Sequence, residues 1–69
     1  MKYAIVIEPT STGFSAYCPD MPGCVSTGQT REECEQNMRE AVAFHIEGLR
    51  EEGEVIPESG SSIAYVEAG

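Results

Sequence analysis

The chain has 69 residues and a net charge of −8, from twelve carboxylates against four cations. This length allows one domain with a small core, which often needs disulfides, a metal or oligomerisation to be stable. The acidic balance disfavours a phosphate backbone or an anionic membrane as partner, because both would repel the chain. It favours a basic protein as partner, unless the acidity only confers solubility.

The cysteine usage points to a reduced environment. Cys18, Cys24 and Cys34 are an odd number without the spacing of common zinc sites. We therefore predict free thiols that pack as small hydrophobes, with no metal and no other cofactor. No signal peptide is expected, because Lys2 is followed at once by a short strand-like run, and no apolar run approaches the roughly 18 residues of a membrane span. A cytoplasmic location without membrane contact is expected.

The first half of the chain has the pattern of an antiparallel hairpin. Residues Tyr3–Ile7 are β-branched and aromatic, and predict a strand. Both faces of this strand are apolar, which implies cover on both sides. The composition of Pro9–Gly13 predicts a turn, and the alternation in Phe14–Cys18 predicts the second strand.

A proline-rich segment separates this hairpin from the next strand. Residues Pro19–Gly23 contain two prolines, which lack amide donors and therefore interrupt the ladder. Residues Cys24–Thr27 predict a short third strand that ends at Gly28.

The helix has the clearest signals at both ends. Thr30 followed by Glu33 matches a capping box, and Gly53 is a natural stop, so a helix is predicted over Arg31–Glu52. Its apolar positions fall within an arc of about 100°, which forms one stripe facing the sheet. That stripe consists of Cys34, Met38, Ala41, Val42, His45 and Leu49.

A last strand is predicted at Ile63–Val66, after a polar turn. The fold class is then α+β, β-β-β-α-β, with an antiparallel sheet and one long helix packed on one face, in a single domain of residues 1–69. One helix covers only one face of a sheet, and Phe44 and Ile46 widen the helix's apolar surface on its two flanks. We therefore predict a homodimer or higher homo-oligomer, with Phe44 and Ile46 at the interface.

No set of residues predicts catalysis. His45 lies within the apolar stripe without a second histidine, so a core or interface role is expected ahead of a pH-linked or catalytic one. Asp20 and Glu8 could suggest metal-assisted hydrolysis, but both lie beside prolines at strand ends, where capping of a turn is common. The cations are too few and scattered for a nucleic-acid patch. The chain is predicted to be no enzyme and not to bind nucleic acid directly.

One longer pattern covers nearly the whole chain. The strand-like start is followed by Gly13–Tyr17 (GFSAY), then by Pro-Asp-Met-Pro-Gly-Cys over residues 19–24, and then by the capped helix. Together these segments resemble the HicB antitoxin family. The motif residues, which are expected to be structural, are Pro19, Asp20, Pro22, Gly23, Cys24, Gly28 and Thr30.

The resemblance implies a partial ribonuclease-H-like fold without catalytic acids. It also implies an antitoxin that binds and blocks a small basic toxin that cleaves mRNA. Many members of the family carry a C-terminal DNA-binding domain, and none is expected in this chain. The carboxylates expected to meet the toxin are Asp20, Glu32, Glu40, Glu47 and Glu51.

Two alternatives stay open at this point. One is an orphan oligomeric protein-binding module of the same fold, with a different partner. The other is a small hydrolase that uses Asp20 or His45.

Overall fold

The structure, a computed structural model of residues 1–69, is a three-stranded antiparallel sheet with one long helix. The strand order is β1-β2-β3, so β1 and β3 are the two edges. The helix packs on one face and contacts β3 most and β1 least. The predicted α+β class, with one helix on one face of an antiparallel sheet, is confirmed. The elements are β1 Val6–Thr10, β2 Gly13–Tyr17, β3 Val25–Gly28 and α1 Arg31–Glu51.

The first strand begins later in the chain than the predicted strand Tyr3–Ile7. The turn is confined to residues 11–12, so Pro9 lies in the ladder, opposite Phe14. The predicted turn Pro9–Gly13 is therefore too long. Proline is tolerated in β1 because an edge strand leaves one row of its amides unpaired.

The residues Tyr3–Ile5 lie outside the ladder because β2 ends too early to pair with them. After Tyr17, the chain enters a tight loop in which the Met21 amide donates to the Cys18 carbonyl, at 3.1 Å. The Cys18 amide donates a hydrogen bond to the Cys24 carbonyl, at 3.2 Å. The predicted second and third strands are each shifted by one residue, and the interruption of the ladder between them is as predicted.

The helix has the caps that its sequence predicts. The Thr30 hydroxyl accepts a hydrogen bond from the Glu33 amide at 3.1 Å, and the Glu33 carboxylate accepts one from the Gln29 amide at 2.9 Å. At the other end Gly53 has a φ of 70°, which is the left-handed conformation that a glycine adopts without steric cost. The amides of Gly53 and Glu54 then close the last turn as a Schellman motif.

The core lies between the sheet and the first half of the helix. Met38 is completely buried, as is Cys34 one turn earlier. The rest of the predicted stripe is half-buried, so the stripe does face the sheet. Only six residues of the chain are buried, which makes this a small core. They are Ala16, Cys18, Met21, Cys24, Cys34 and Met38.

The predicted fourth strand, Ile63–Val66, is not formed, and the element order is β-β-β-α. The segment after the helix runs back past the sheet, where the Tyr3 hydroxyl donates to the Pro57 carbonyl. Beyond that point, all residues of the segment are exposed and form no regular element. Ile63 and Tyr65 lie beside the apolar groove between β1 and the helix, but no strand pairs with the free edge of β1.

Candidate functional site

A row of exposed glutamates runs along the outer side of α1. Glu32, Glu40, Glu47 and Glu51 are all exposed. At 100° per residue they fall within an arc of about 100°, and at 1.5 Å per residue the row is about 28 Å long. The structure therefore brings together four of the five carboxylates that were predicted to bind a partner.

Phe44 lies at the margin of this row and is 80% exposed. It follows Glu40 by four residues and precedes Glu47 by three, and residues at these spacings are neighbours on a helix surface. We call Phe44 together with the four glutamates the helix surface. It combines a large exposed aromatic ring with a rim of negative charge.

The fifth predicted carboxylate, Asp20, does not belong to the helix surface. It lies on the loop between β2 and β3, and both of its oxygens are engaged by the segment that follows the helix. The Ser61 amide donates to one oxygen at 3.1 Å, and the Ser61 hydroxyl donates to the other at 3.0 Å. In this structure the Asp20 carboxylate holds the two segments together.

Phe44 and Ile46, the two predicted interface residues, have different surroundings. Ile46 is half-buried and packs against the core, whereas Phe44 points into solvent. His45, between them, is half-buried. The homo-oligomer itself stays a prediction.

A second exposed patch lies on the face of the sheet that the helix does not cover. Val6 pairs with Tyr17 and Tyr17 pairs with Val25, so the three side chains form one row across the strands. Tyr17 is 43% exposed and Val25 is 65% exposed. We call this row the open face. The sequence signalled it only through the apolar second face of the first strand, because the row depends on register.

The motif residues of the 19–30 segment stabilise the loop between β2 and β3 and the first turn of the helix. Gly23 has a φ of 83°, and Cys24 is buried in the core. Burial raises the pKa of the Cys24 thiol above its ordinary value of 9.0, and the nearby Cys18 thiol raises it further. Gly28 lies against the first turn of the helix, which Thr30 caps.

A shallow groove of about 810 Å³ runs along the free edge of β1. Its lining is mostly apolar and includes Tyr3, Ile5 and Val42, and Arg31 and Arg39 also line it. No group of three or more His, Cys, Asp or Glu side chains is arranged to hold a metal ion. The helix is also too polar for its length to cross a membrane.

The fold and its surfaces define a small α+β domain with an acidic helix and one uncovered sheet face. Comparison with known proteins assigns it to a family. Residues 3–69 match the model of the HicB_like antitoxin of bacterial toxin-antitoxin systems. The chain belongs to this family, and the resemblance seen in its sequence is confirmed.

The chain is also similar to individual proteins. It is 42% identical over 66 residues to an uncharacterized 14.9 kDa protein of Haemophilus phage HP1, covering 96% of this chain and 50% of that protein. It is 33% identical over 69 residues to a UPF0150 protein of Thermoplasma acidophilum, covering 99% of this chain and 100% of that protein. The chain therefore spans half of the phage relative and all of the archaeal one.

One solved structure matches the whole arrangement. A chain of the HicA3 and HicB3 toxin-antitoxin complex superposes with a TM-score of 0.76 and 40% sequence identity. The match covers 87% of this chain and 70% of that chain. The sheet-and-helix fold described above is thus one found in a toxin-antitoxin complex.

Proposed function

We propose that the chain is the antitoxin of a toxin-antitoxin pair and neutralises a small basic toxin that cleaves mRNA. It acts in the cytoplasm, as a homodimer or higher homo-oligomer, by covering the toxin and without catalysis of its own. The membership of the HicB-like antitoxin family supports this proposal. So does the similarity to a chain solved in a toxin-antitoxin complex.

The observation that carries the proposal is the helix surface. Protein-binding sites are typically built from a central aromatic side chain that enters a pocket and a polar rim around it. Phe44 is such a side chain, and Glu40 and Glu47 lie one turn away on either side of it. No other aromatic side chain of the helix is available, since Phe44 is the only one between Arg31 and Glu51.

The charge of the helix surface fits a toxin that grips RNA. Such a toxin has to present cations to the phosphate backbone. A row of carboxylates about 28 Å long competes for the same cations, so binding the antitoxin and binding RNA exclude each other. Inhibition then follows from occupation of the RNA-binding surface.

The two parts of the helix surface have different expected effects on kinetics. The exposed glutamates attract the toxin at long range and therefore raise the association rate, an effect that salt screens. Phe44 is desolvated in the complex and therefore slows dissociation. Raising the salt concentration should lower the association rate more than it raises the dissociation rate.

The test is co-expression with the product of the adjacent gene, the expected toxin, scored by growth and by co-purification. The wild-type chain should restore growth and co-purify. The double variant Glu40→Lys, Glu47→Lys should associate about tenfold or more slowly and fail to restore growth, because it reverses the rim charge. Phe44→Ala should mainly raise the dissociation rate, since it removes the anchor.

The matched control is the double variant Glu54→Lys, Glu58→Lys. It makes the same change in net charge on exposed residues beyond the helix, and it should rescue growth like the wild type. If both double variants lose rescue equally, net charge matters and the helix surface does not. If the wild-type chain neither rescues growth nor co-purifies, an orphan module with another partner replaces the antitoxin.

A further inference from the structure

The open face is an apolar surface that is separate from the helix surface. Val6, Tyr17 and Val25 lie side by side in one row, because the register of both ladders places them opposite one another. The row that follows consists of Glu8, Ser15 and Thr27. One apolar row thus crosses the whole width of the sheet, next to a polar one.

The distribution of charge indicates what can cover this row. Within the three strands, Glu8 is the only charged residue, whereas α1 alone carries six of the twelve carboxylates. A surface that is nearly free of charge offers no electrostatic attraction to the cations of a basic toxin. Two copies of a chain of net charge −8, in contrast, approach each other most easily through the surface with the fewest carboxylates. The open face carries one, Glu8, in the row beside the apolar one.

The size of the core gives an independent reason for a second copy. Six buried residues in a chain of 69 are few, and domains of this size often depend on association for their stability. Stacking the open faces of two copies extends the apolar interior to the other side of the sheet. This larger interior needs no residues beyond those already on the open face.

We propose that the open face is the surface through which two copies of this chain form a dimer. The two sheets stack face to face, about 10 Å apart, as in a β-sandwich. A two-fold axis near Tyr17 places the central side chains of both rows together, and the same surface serves both copies. This inference specifies the homo-oligomer of the proposed function, and it does not depend on the toxin.

The dimer leaves the helix surface free, because the helices lie on the outer sides of the two sheets. Phe44, predicted from the sequence at the dimer interface, then belongs to the partner-binding surface. A dimer that presents two helix surfaces can bind two toxin molecules. The two interactions are therefore separable by substitution.

The chain contains no tryptophan, so one introduced tryptophan reports on one position. In Tyr17→Trp the tryptophan fluorescence should shift to shorter wavelength as the concentration rises through the micromolar range, because the indole becomes buried in the dimer. In the control Phe44→Trp the emission should stay at long wavelength at every concentration. Sedimentation equilibrium of the wild-type chain should give about twice the mass of 7.5 kDa.

Val25→Glu tests the same face by substitution. It should raise the dissociation constant of the dimer about tenfold or more, because each copy would bury one new carboxylate in the interface. Val25 is mostly exposed, so the variant should fold, which far-UV circular dichroism checks. Ala43→Glu adds the same charge to an exposed position of the helix, and it should leave the dimer intact.

A monomeric wild-type chain would overturn the inference. So would a dimer that persists in Val25→Glu, or an emission shift in Phe44→Trp without one in Tyr17→Trp. Toxin binding separates this inference from the proposed function: Val25→Glu should still capture the co-expressed toxin through its helix surface. If Val25→Glu instead loses the toxin and stays dimeric, the open face binds the toxin and the inference is wrong.

Discussion

The two faces of the sheet are made by the same three strands but differ greatly in burial. On the helix side, Ala16 is 3% exposed, and Cys24, which directly precedes β3, is 4% exposed. On the opposite side, Tyr17 follows Ala16 and Val25 follows Cys24, and these two neighbours are 43% and 65% exposed. The change occurs within one residue because successive side chains of a strand point to opposite faces.

This difference follows from the packing of one helix and not from the composition of the strands. Both faces carry apolar residues, but α1 covers only one of them, and it covers β3 and β2 better than β1. The covered face therefore supplies the stability of the single chain. The open face contributes to stability only when another molecule covers it.

The largest loss of stability is expected from a substitution in the core under the covered face. Met38→Ala should lower the free energy of unfolding by about 2–5 kcal/mol, because it leaves a cavity where a completely buried side chain was. Val25→Ala, on the open face, should change it by less than about 0.5 kcal/mol in the monomer. Urea denaturation followed by circular dichroism, at a concentration below dimerisation, measures both. Equal losses in the two variants would mean that the open face is also packed within one chain.

A smaller effect is expected where the helix lies closest to the sheet. A Cβ atom at Gly28 would lie 2.5 Å from the Cys34 amide nitrogen and 2.7 Å from its Cα atom. Both are backbone atoms of the helix, so Gly28→Ala should push the helix outward and cost about 1–3 kcal/mol of stability.

Gly48→Ala is the matched control for this substitution. Gly48 is in the helix, and nothing lies within 4 Å of the Cβ position. The same change from glycine to alanine should therefore stabilise the protein by about 0.5–1 kcal/mol, through helix propensity alone. Opposite signs for the two variants, measured by thermal or urea denaturation, would establish that contact with the sheet sets the effect. If Gly28→Ala left the stability unchanged, the close contact between Gly28 and the helix backbone at Cys34 would be contradicted.

The parts of the fold that follow from local chemistry could be predicted from the sequence. The helix was predicted to within one residue at its end, because Thr30, Glu33 and Gly53 act on neighbouring backbone atoms. Its stripe was predicted because the helical period alone decides which residues face the same way. Four of the five carboxylates of the predicted partner surface share one side of the helix for the same reason.

The parts that depend on pairing between distant segments could not be predicted in the same way. The sequence does not give the register, so the first strand was placed too early and the row through Tyr17 was missed. The fourth strand was predicted from a short apolar run, but a strand forms only by pairing, and this segment does not pair with the free edge of β1. The link between Asp20 and Ser61 joins residues 41 positions apart, and no local pattern indicates it.

The smallest expected effect concerns ionisation on the covered face. Burial, with a contribution from Cys18, raises the pKa of the Cys24 thiol above 9.0. Above that pH the unfolded chain loses the thiol proton while the folded chain keeps it. Unfolding then releases a proton, so the free energy of unfolding should fall as the pH rises, by at most about 1.4 kcal/mol per pH unit.

Below pH 9.0 both states keep the proton, and Cys24 should make no contribution to the pH dependence of stability. Urea denaturation from neutral to alkaline pH measures the decline, and Cys24→Ala is the control. The variant loses stability at every pH, because a small cavity forms, but its decline above pH 9.0 should be shallower. The two proteins differ only at residue 24, so the difference between the two curves isolates this thiol. Parallel curves would show that the Cys24 thiol ionises as easily in the folded chain as in the unfolded one, and that the covered face is open to water there.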